Sequence, residues 1–285
     1  MLTEDGTFNI GVDIMEEVIK REWYLEYDIQ VNRAGLLGDI SSLLGILGIN
    51  IITINGVDQG RRGLLIKTDD MNKVKRFENI VKEIDDITIK KLRTPGLRDR
   101  LAVRHGRYIK RDVDDKKTFR FERNDLGLLV DFMAELFKEN RHKLIGVRGM
   151  PRVGKTESVV AASVCAHKKW LFISSTLIKQ TVRSSLLKGE YGDENVYIID
   201  GAVTSKQTDE KHKQLVREVM SLPTIKVVEH PDLFVQRSEY SLEDFDYIIE
   251  LRETEDQEIT YEQLNKNDLF TNDNMAFGDG FGFFE

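Results

Sequence analysis

The segment 149–156 constrains the fold of this chain more than any other segment. It reads Gly-Met-Pro-Arg-Val-Gly-Lys-Thr, which fits the pattern G-x-x-x-x-G-K-[ST], and it lies between an apolar run at 144–147 and a helical pattern. In such a segment the glycines let backbone N–H groups curl around phosphate oxygens, at the positive end of the following helix. A buried strand, a phosphate-binding loop and a helix are therefore predicted in that order.

The same segment predicts a site for a nucleotide with Mg²⁺. Lys155 is expected to reach the β- and γ-phosphates, and the Thr156 hydroxyl is expected to ligate the metal. The alternative is a glycine-containing turn between a strand and a helix that binds nothing. The predicted nucleotide-binding residues are Gly149, Met150, Pro151, Arg152, Val153, Gly154, Lys155, Thr156 and Glu157.

Strands and helices alternate through 123–270, which we predict to be one nucleotide-binding α/β domain. Apolar runs predict strands at 143–148, 170–174, 196–200, 225–229 and 246–251. Helical spacing predicts helices at 124–140, from the glycine segment to about 167, at 176–188 and at 208–220. Such alternation implies a mostly parallel sheet with helices on both faces.

Two acidic residues end predicted strands of this domain, where the ligands of such sheets gather. Asp200 closes an apolar run and resembles the Walker B acid, so it is predicted to hold Mg²⁺; the alternative is an Asp in a tight turn. Glu229 is predicted to orient or deprotonate an attacking water or hydroxyl; the alternative is a solvated carboxylate. The predicted catalytic residues are thus Lys155 and Glu229, and the predicted metal ligands are Thr156 and Asp200.

The segment 265–268 bears on the choice between ATP and GTP. It reads Asn-Lys-Asn-Asp and fits N-K-x-D, a pattern that reads guanine in GTPases. In those proteins the pattern follows a buried strand, whereas here the preceding residues look like a polar helix cap. Asp200 also lacks the continuation D-x-x-G. ATP and Mg²⁺ are therefore the predicted cofactors.

Residues 23–92 read as strand, helix, strand, strand, helix, strand, which is the split βαβ, ferredoxin-like order. Within them, 32–40 (Asn-Arg-Ala-Gly-Leu-Leu-Gly-Asp-Ile) and 47–51 (Leu-Gly-Ile-Asn-Ile) resemble the ACT domain, a small-molecule sensing module of regulators of amino-acid metabolism. The expected fold class is α/β, with a ferredoxin-like, ACT-like regulatory domain followed by a P-loop domain.

The resemblance implies that the turn before the first helix binds an amino acid or similar effector, usually between two paired ACT domains, and hence a homodimer. The turn has the means, since Gly35 admits close backbone approach and the helix start offers N–H groups to a carboxylate. The family usually has Asp and Pro where this chain has Asn32 and Ala34. The alternative is a module used only for pairing. The implied effector residues are Asn32, Ala34, Gly35 and Leu36.

Charge is unevenly distributed along the chain. The formal net charge of −7 gives no general attraction to nucleic acid or acidic membranes. Basic residues concentrate at 93–111 and acidic ones at 253–285, which predicts a basic linker over 93–122 and an acidic, flexible tail over 271–285, with 1–22 as an N-terminal extension. The phenylalanines of the tail raise the hypothesis of a protein partner. The single cysteine excludes an intramolecular disulfide, and the lack of a signal-like start or a spanning apolar run predicts a cytoplasmic protein.

These features leave two function hypotheses. The first is an ATPase or phosphotransferase that an effector regulates, and the second is a non-enzymatic adaptor in which bound nucleotide orders loops that engage another protein. Tight nucleotide binding without turnover would favour the adaptor, while overall acidity disfavours a nucleic-acid motor. The whole chain also resembles an uncharacterised family of Gram-positive bacterial proteins, the YmfK-like group. That resemblance implies the two-domain architecture and no activity.

Overall fold

The N-terminal part of the chain builds a four-stranded antiparallel sheet. The computed structural model describes residues 21–175, 182–206 and 209–259, and these fall into two units that divide between Arg107 and Tyr108. The strand order of the first sheet is β2-β3-β1-β4, the split βαβ order predicted for 23–92. Its elements are β1 (Arg21–Ile29), α1 (Leu36–Ile46), β2 (Asn50–Asp58), β3 (Arg61–Thr68), α2 (Met71–Val81) and β4 (Ile87–Arg93).

Helices α1 and α2 cover one face of this sheet. Leu36, Ile40 and Leu44 recur at helical spacing on α1 and are all buried, because positions four apart lie on one side of a helix. Helix α2 begins at a capping residue, Asp70, whose carboxylate accepts a hydrogen bond of 2.8 Å from the Asn72 N–H. The buried residues of both helices pack on the β1 side chains Leu25 and Tyr27 to form the core of the first unit.

The other face of the sheet is covered by a third helix, α3 (Leu97–His105), which contacts β2 and β3. Glu26, on the face opposite Leu25, is 1% exposed and accepts hydrogen bonds from Tyr24 (2.7 Å) and Lys91 (3.0 Å). The Asn55 amide donates to the Val103 carbonyl at 3.1 Å, which ties α3 to the edge strand. Side chains on both faces of β1 are therefore buried.

The linker predicted over 93–122 is divided differently in the structure. Residues 97–105 are helical and contribute buried Leu101, Ala102 and Val103, while two later strands, β5 (Lys110–Arg111) and β6 (Thr118–Glu122), join the second sheet. Basic composition is typical of a linker, and here most of the cations are exposed and several form ion pairs, such as Arg93 with Asp99 at 2.8 Å. The boundary between the units lies inside the predicted linker.

The second unit is built on a seven-stranded sheet of order β5-β6-β11-β7-β10-β9-β8. All its strand pairs are parallel except β5 with β6, as expected from the alternation of strands and helices. The elements after β6 are α4 (Leu126–Phe137), β7 (Lys143–Gly149), α5 (Lys155–Cys165), β8 (Lys169–Ser174), β9 (Asn195–Asp200), α6 (Gly201–Lys206), α7 (Glu210–Ser221), β10 (Ile225–Glu229), α8 (Pro231–Val235) and β11 (Tyr247–Arg252).

Strands β9 and β10 are buried along their whole length, which is why they read as mainly apolar runs, although Lys226 interrupts the run in β10. The first part of the helix predicted over 176–188, residues 176–181, lies outside the described residues. Residues 182–187 are not helical, and Lys188–Glu190 form a single 3₁₀ turn. Residues 1–20, the 265–268 segment and the tail at 271–285 also lie outside the described residues. Within the described part of the chain, no helix is long and apolar enough to cross a membrane.

Candidate functional site

Residues 149–156, which we call the glycine loop, connect β7 to α5. A Cβ atom at Gly149 would lie 2.6 Å from the Leu251 carbonyl oxygen and 2.9 Å from a Val153 methyl, so that only glycine fits there. Arg152 and Gly154 have left-handed backbone angles, with φ of 63° and 107°. The Arg123 guanidinium donates to the Arg152 carbonyl at 2.7 Å, a contact that sequence reasoning missed. The glycine loop is thus a tightly specified turn at the start of a helix.

Lys155 is the first residue of α5 and is 6% exposed. Its ammonium group donates to the carbonyls of Gly149 (3.0 Å) and Met150 (2.9 Å), so it lies within the curve of the glycine loop. Burial lowers the pKa of Lys155, and the carboxylates of Glu229 and Asp200 oppose that change. Of the other predicted loop residues, Val153 is buried, Met150 and Pro151 are half-buried, and Arg152 and Glu157 are exposed.

The structure brings Thr156 and Glu229 into direct contact. The Thr156 hydroxyl donates to Glu229 Oε1 at 2.6 Å. Strand β10 lies between β7 and β9, and Glu229 is in register with Val147 on one side and Asp200 on the other. Glu229 therefore stands at the carboxyl edge of the sheet, between the strand that leads into the glycine loop and the strand that ends in Asp200.

The environment of Glu229 changes its acidity. Burial raises the pKa of this carboxyl to about 7; the Thr156 hydrogen bond and Lys155 lower it, and Asp200 raises it further. The neighbouring His230, which begins α8 with a φ of 55°, has its pKa lowered to about 4 by burial and by the Lys155 charge. At neutral pH the imidazole is therefore uncharged, while the Glu229 carboxyl is close to the midpoint of its titration.

Asp200 is 2% exposed and caps the helix that follows it. Its Oδ1 accepts hydrogen bonds from the N–H groups of Ala202 (2.9 Å) and Val203 (3.3 Å), and its own N–H donates to the Ser174 hydroxyl at 2.9 Å. The turn role that the sequence allowed for Asp200 is thus present in the structure. The same contacts fix the carboxylate beside the last residue of β10.

Arg148, the residue before the glycine loop, is held by acidic residues. It forms a bidentate pair with Asp232, with both N–O distances at 2.8 Å, and a contact of 3.3 Å with Glu250. Glu250 also pairs with Arg120 and Arg252. Sequence reasoning did not find this network, because its members come from separate strands and a helix, and no local pattern links them.

The donor set at this edge suits a hard divalent cation. The Thr156 hydroxyl and the carboxylates of Asp200 and Glu229 are oxygen ligands of the kind that Mg²⁺ takes when it is bound through one or two carboxylates and substrate phosphates. In the described part of the chain, no group of three or more His, Cys, Asp or Glu side chains is placed to hold a metal.

The effector turn predicted at 32–36 lies on the surface of the first unit. Asn32, Ala34 and Gly35 are exposed, Leu36 is buried, and Gly35 has a φ of 84° at the start of α1. Arg33, which the sequence prediction left out, pairs with Asp86 and Asp39, each at 2.7 Å. The resemblance to the ACT domain and the glycine at position 35 indicated this turn, whereas the pairing of Arg33 with the distant Asp86 is visible only in the fold.

Comparison with known proteins places the chain in a family. The model of a family described as "Protein of unknown function (DUF3388)" matches residues 89–278. The chain is also 66% identical over 251 residues to a protein named "Uncharacterized protein YmfK" from Bacillus subtilis (strain 168), an alignment that covers 88% of this chain and 93% of that protein. The described residues of the second unit, with the glycine loop and both acidic strand ends, lie within the matched region. The chain belongs to the DUF3388 family, the YmfK-like group.

Proposed function

We propose that this protein binds ATP with Mg²⁺ through the glycine loop and that an ACT-like first unit regulates the affinity for ATP. One observation carries the proposal: the loop, the Thr156 hydroxyl and two buried carboxylates converge at the carboxyl edge of three adjacent parallel strands. That edge is where open α/β sheets bind ligands. A turn without a ligand has no need of a buried lysine that faces its own carbonyls.

Each residue of the site has a role in this proposal. The backbone N–H groups at the start of α5 hold phosphate oxygens, and Lys155 exchanges its two carbonyl partners for the β- and γ-phosphates. Thr156 and Asp200 would hold Mg²⁺, which would supply positive charge to neutralise the phosphates. The side chains of Arg152 and Glu157 are exposed, so these two residues would contribute to phosphate binding chiefly through their backbone N–H groups.

Glu229 is proposed as the group that orients or deprotonates the attacking water or hydroxyl. Its pKa of about 7 suits a general base near neutral pH, and its bond to Thr156 fixes it beside the phosphates. We expect turnover to be slow, because a carboxylate that also contacts the metal-binding hydroxyl is only partly available as a base.

The test of this role is the variant Glu229→Gln. It keeps the size of the side chain and should retain ATP binding while losing most of the phosphate release measured in single turnover, by roughly 10²-fold or more. The matched control is Glu218→Gln, an exposed carboxylate bonded to Tyr191, which should leave the rate unchanged. If the wild-type protein binds ATP without turnover, the protein is a nucleotide-dependent adaptor, and the proposed catalytic role of Glu229 is wrong.

Regulation by the first unit rests on the exposed turn at 32–36. The left-handed Gly35 at the start of α1 leaves backbone room for a carboxylate ligand, since a Cβ at Gly35 would meet nothing within 4 Å. We expect one or more of the standard amino acids to raise the melting temperature of the wild type and to change its ATP affinity. Asn32→Ala should remove this response, and Gln59→Ala, at an exposed hairpin turn, should keep it. A panel of amino acids without any effect would reduce the first unit to a pairing module.

A further inference from the structure

A cleft separate from the candidate nucleotide site lies in the second unit, between α6, α7 and the residues that follow α8. Its volume is about 480 Å³, in the range of small-molecule sites. Four of its lining residues are cations, Lys206, Lys213, Arg217 and Arg237, and one is an anion, Glu239. Such a cleft attracts a negatively charged ligand.

The cations at the rim differ in how firmly they are held. Lys213 pairs with the exposed Glu210 at 2.7 Å, and Arg217 approaches Glu239 only to 3.8 Å, with both side chains about 60% exposed. Exposed pairs of this kind contribute little and are readily exchanged for a ligand. Arg237 is oriented by a hydrogen bond of 2.7 Å to the Ser205 carbonyl, which fixes one guanidinium at the mouth of the cleft.

The floor of the cleft is apolar and aromatic. Phe234 is 1% exposed, and its ring stacks on Tyr240 with centroids 5.8 Å apart and an interplanar angle of 23°. Val216, which is 5% exposed, completes the floor. A ligand that matches both floor and rim has an apolar or planar body and an anionic group.

We propose that this cleft binds a small organic anion, a phosphate ester or carboxylate with a planar apolar body, as a second ligand of the protein. Helix α6 links the cleft to the nucleotide site, because Asp200 caps its first turn and Thr204, which lines the cleft, lies 2.9 Å from the Ser174 hydroxyl. The cleft is nonetheless built from its own residues. Its occupancy does not depend on the glycine loop.

The test is isothermal titration calorimetry of the full-length protein, with phenyl phosphate, benzoate and inorganic phosphate as probes. We expect phenyl phosphate or benzoate to bind below about 1 mM, and inorganic phosphate at least tenfold more weakly. Whichever of the two binds more tightly identifies the anionic group. The double variant Arg217→Gln, Arg237→Gln should weaken binding of the preferred probe at least tenfold. Arg141→Gln, which removes an exposed arginine paired with Glu139, is the matched control and should not.

Two further variants separate this site from the nucleotide site. Tyr240→Ala should weaken phenyl phosphate and leave inorganic phosphate unchanged. Lys155→Met removes anion binding at the glycine loop, and the probe binding that the double arginine variant loses should remain in it. Loss of probe binding in Lys155→Met would assign the anion to the glycine loop and overturn the proposal. Equal binding by wild type and the double arginine variant, or no binding of either aromatic probe at about 10 mM, would overturn it as well.

Discussion

Gly201 is the point at which the two acidic strand ends are held together. A Cβ atom there would lie 2.5 Å from the His230 carbonyl oxygen, 2.8 Å from the Glu229 carbonyl oxygen and 2.9 Å from Phe234 Cβ. Two of these neighbours are backbone atoms, which cannot move without displacing the end of β10. The absence of a side chain at this residue thus permits α6 to start directly beneath Glu229.

Gly201→Ala should therefore destabilise the protein by about 1–3 kcal/mol, the usual cost of overpacking, and should weaken the Thr156–Glu229 contact. The measurement is urea unfolding of the wild type and the variant, followed by Trp170 fluorescence in a Trp23→Phe background. Gly189→Ala, where a Cβ would meet nothing within 4 Å, is the control and should change stability by less than about 0.5 kcal/mol. Equal stability of the two variants would show that the backbone at the end of β10 can shift to accommodate a Cβ atom, and would contradict this prediction.

Lys226 is a second residue whose setting was not visible in the sequence. It lies in β10, is fully buried, and donates hydrogen bonds to His142 (2.9 Å) and to the carbonyls of Leu222 and Thr224. Burial lowers its pKa from 10.5 to about 8. In the sequence it is simply a lysine in an apolar run, and burial of its ammonium group depends on carbonyls at the end of α7.

This pKa predicts a pH dependence of stability. Between pH 8 and 10.5 the unfolded chain keeps the Lys226 proton while the folded chain loses it, so the contribution of this residue to stability rises with pH and is lost as pH falls through 8. Relative to Lys226→Met, the wild type should gain about 1 kcal/mol in unfolding free energy from pH 7 to pH 9. Urea titrations of both proteins at the two pH values measure this difference, and a constant or decreasing difference would contradict the lowered pKa.

At the scale of elements, α3 is the main departure from the sequence prediction. Its apolar side chains are few and its surface is strongly basic, so composition indicated a linker where the fold has a helix that buries Leu101 and Val103. Five strands of the second sheet, β7 to β11, were predicted to within about two residues, because burial on both faces leaves a mainly apolar run, whereas β5 and β6 fall in the predicted linker. A short amphipathic helix that packs on a sheet from a distant segment leaves only a weak local pattern.

If α3 is part of the first unit, Leu101→Ala should destabilise that unit by about 2–5 kcal/mol. The chain has two tryptophans, Trp23 and Trp170, so a Trp170→Phe background makes fluorescence report on the first unit alone. The control is Ile46→Ala on α1, where the isoleucine is 82% exposed, and it should cost less than about 0.5 kcal/mol. A Leu101→Ala variant as stable as the control would restore the linker interpretation.

The candidate site illustrates what a motif can and cannot predict. The glycine loop and the acidic residues Asp200 and Glu229 were recognised from local sequence, because each ends or follows an apolar strand. Their convergence depends on strand order: β10 lies between β7 and β9, although it follows both in the chain. The direct Thr156–Glu229 bond and the Arg148–Asp232 pair are long-range contacts that periodicity does not encode.

At the scale of the whole molecule, we propose that two copies pair through the first unit. Strand β2 is an edge strand of its sheet and carries Ile52, which is 45% exposed, an arrangement suited to pairing with a second chain. Sedimentation equilibrium should show a dimer for the wild type and a monomer for Ile52→Glu. Val164→Glu, on α5 of the second unit and 53% exposed in the wild type, should remain a dimer. A dimeric Ile52→Glu variant would rule out this edge as the interface.

The most direct test of the account is the stabilisation of the folded protein by ATP with Mg²⁺. At about 100 times the dissociation constant, a ligand that binds only the folded state adds about 2.7 kcal/mol, which appears as a rise in melting temperature. Lys155→Met keeps the length of the buried side chain and removes its charge, and Lys169→Met makes the same change at an exposed residue of β8. We predict that the wild type and Lys169→Met are stabilised and that Lys155→Met is not. Equal stabilisation of all three proteins, or of none, would contradict nucleotide binding at the glycine loop.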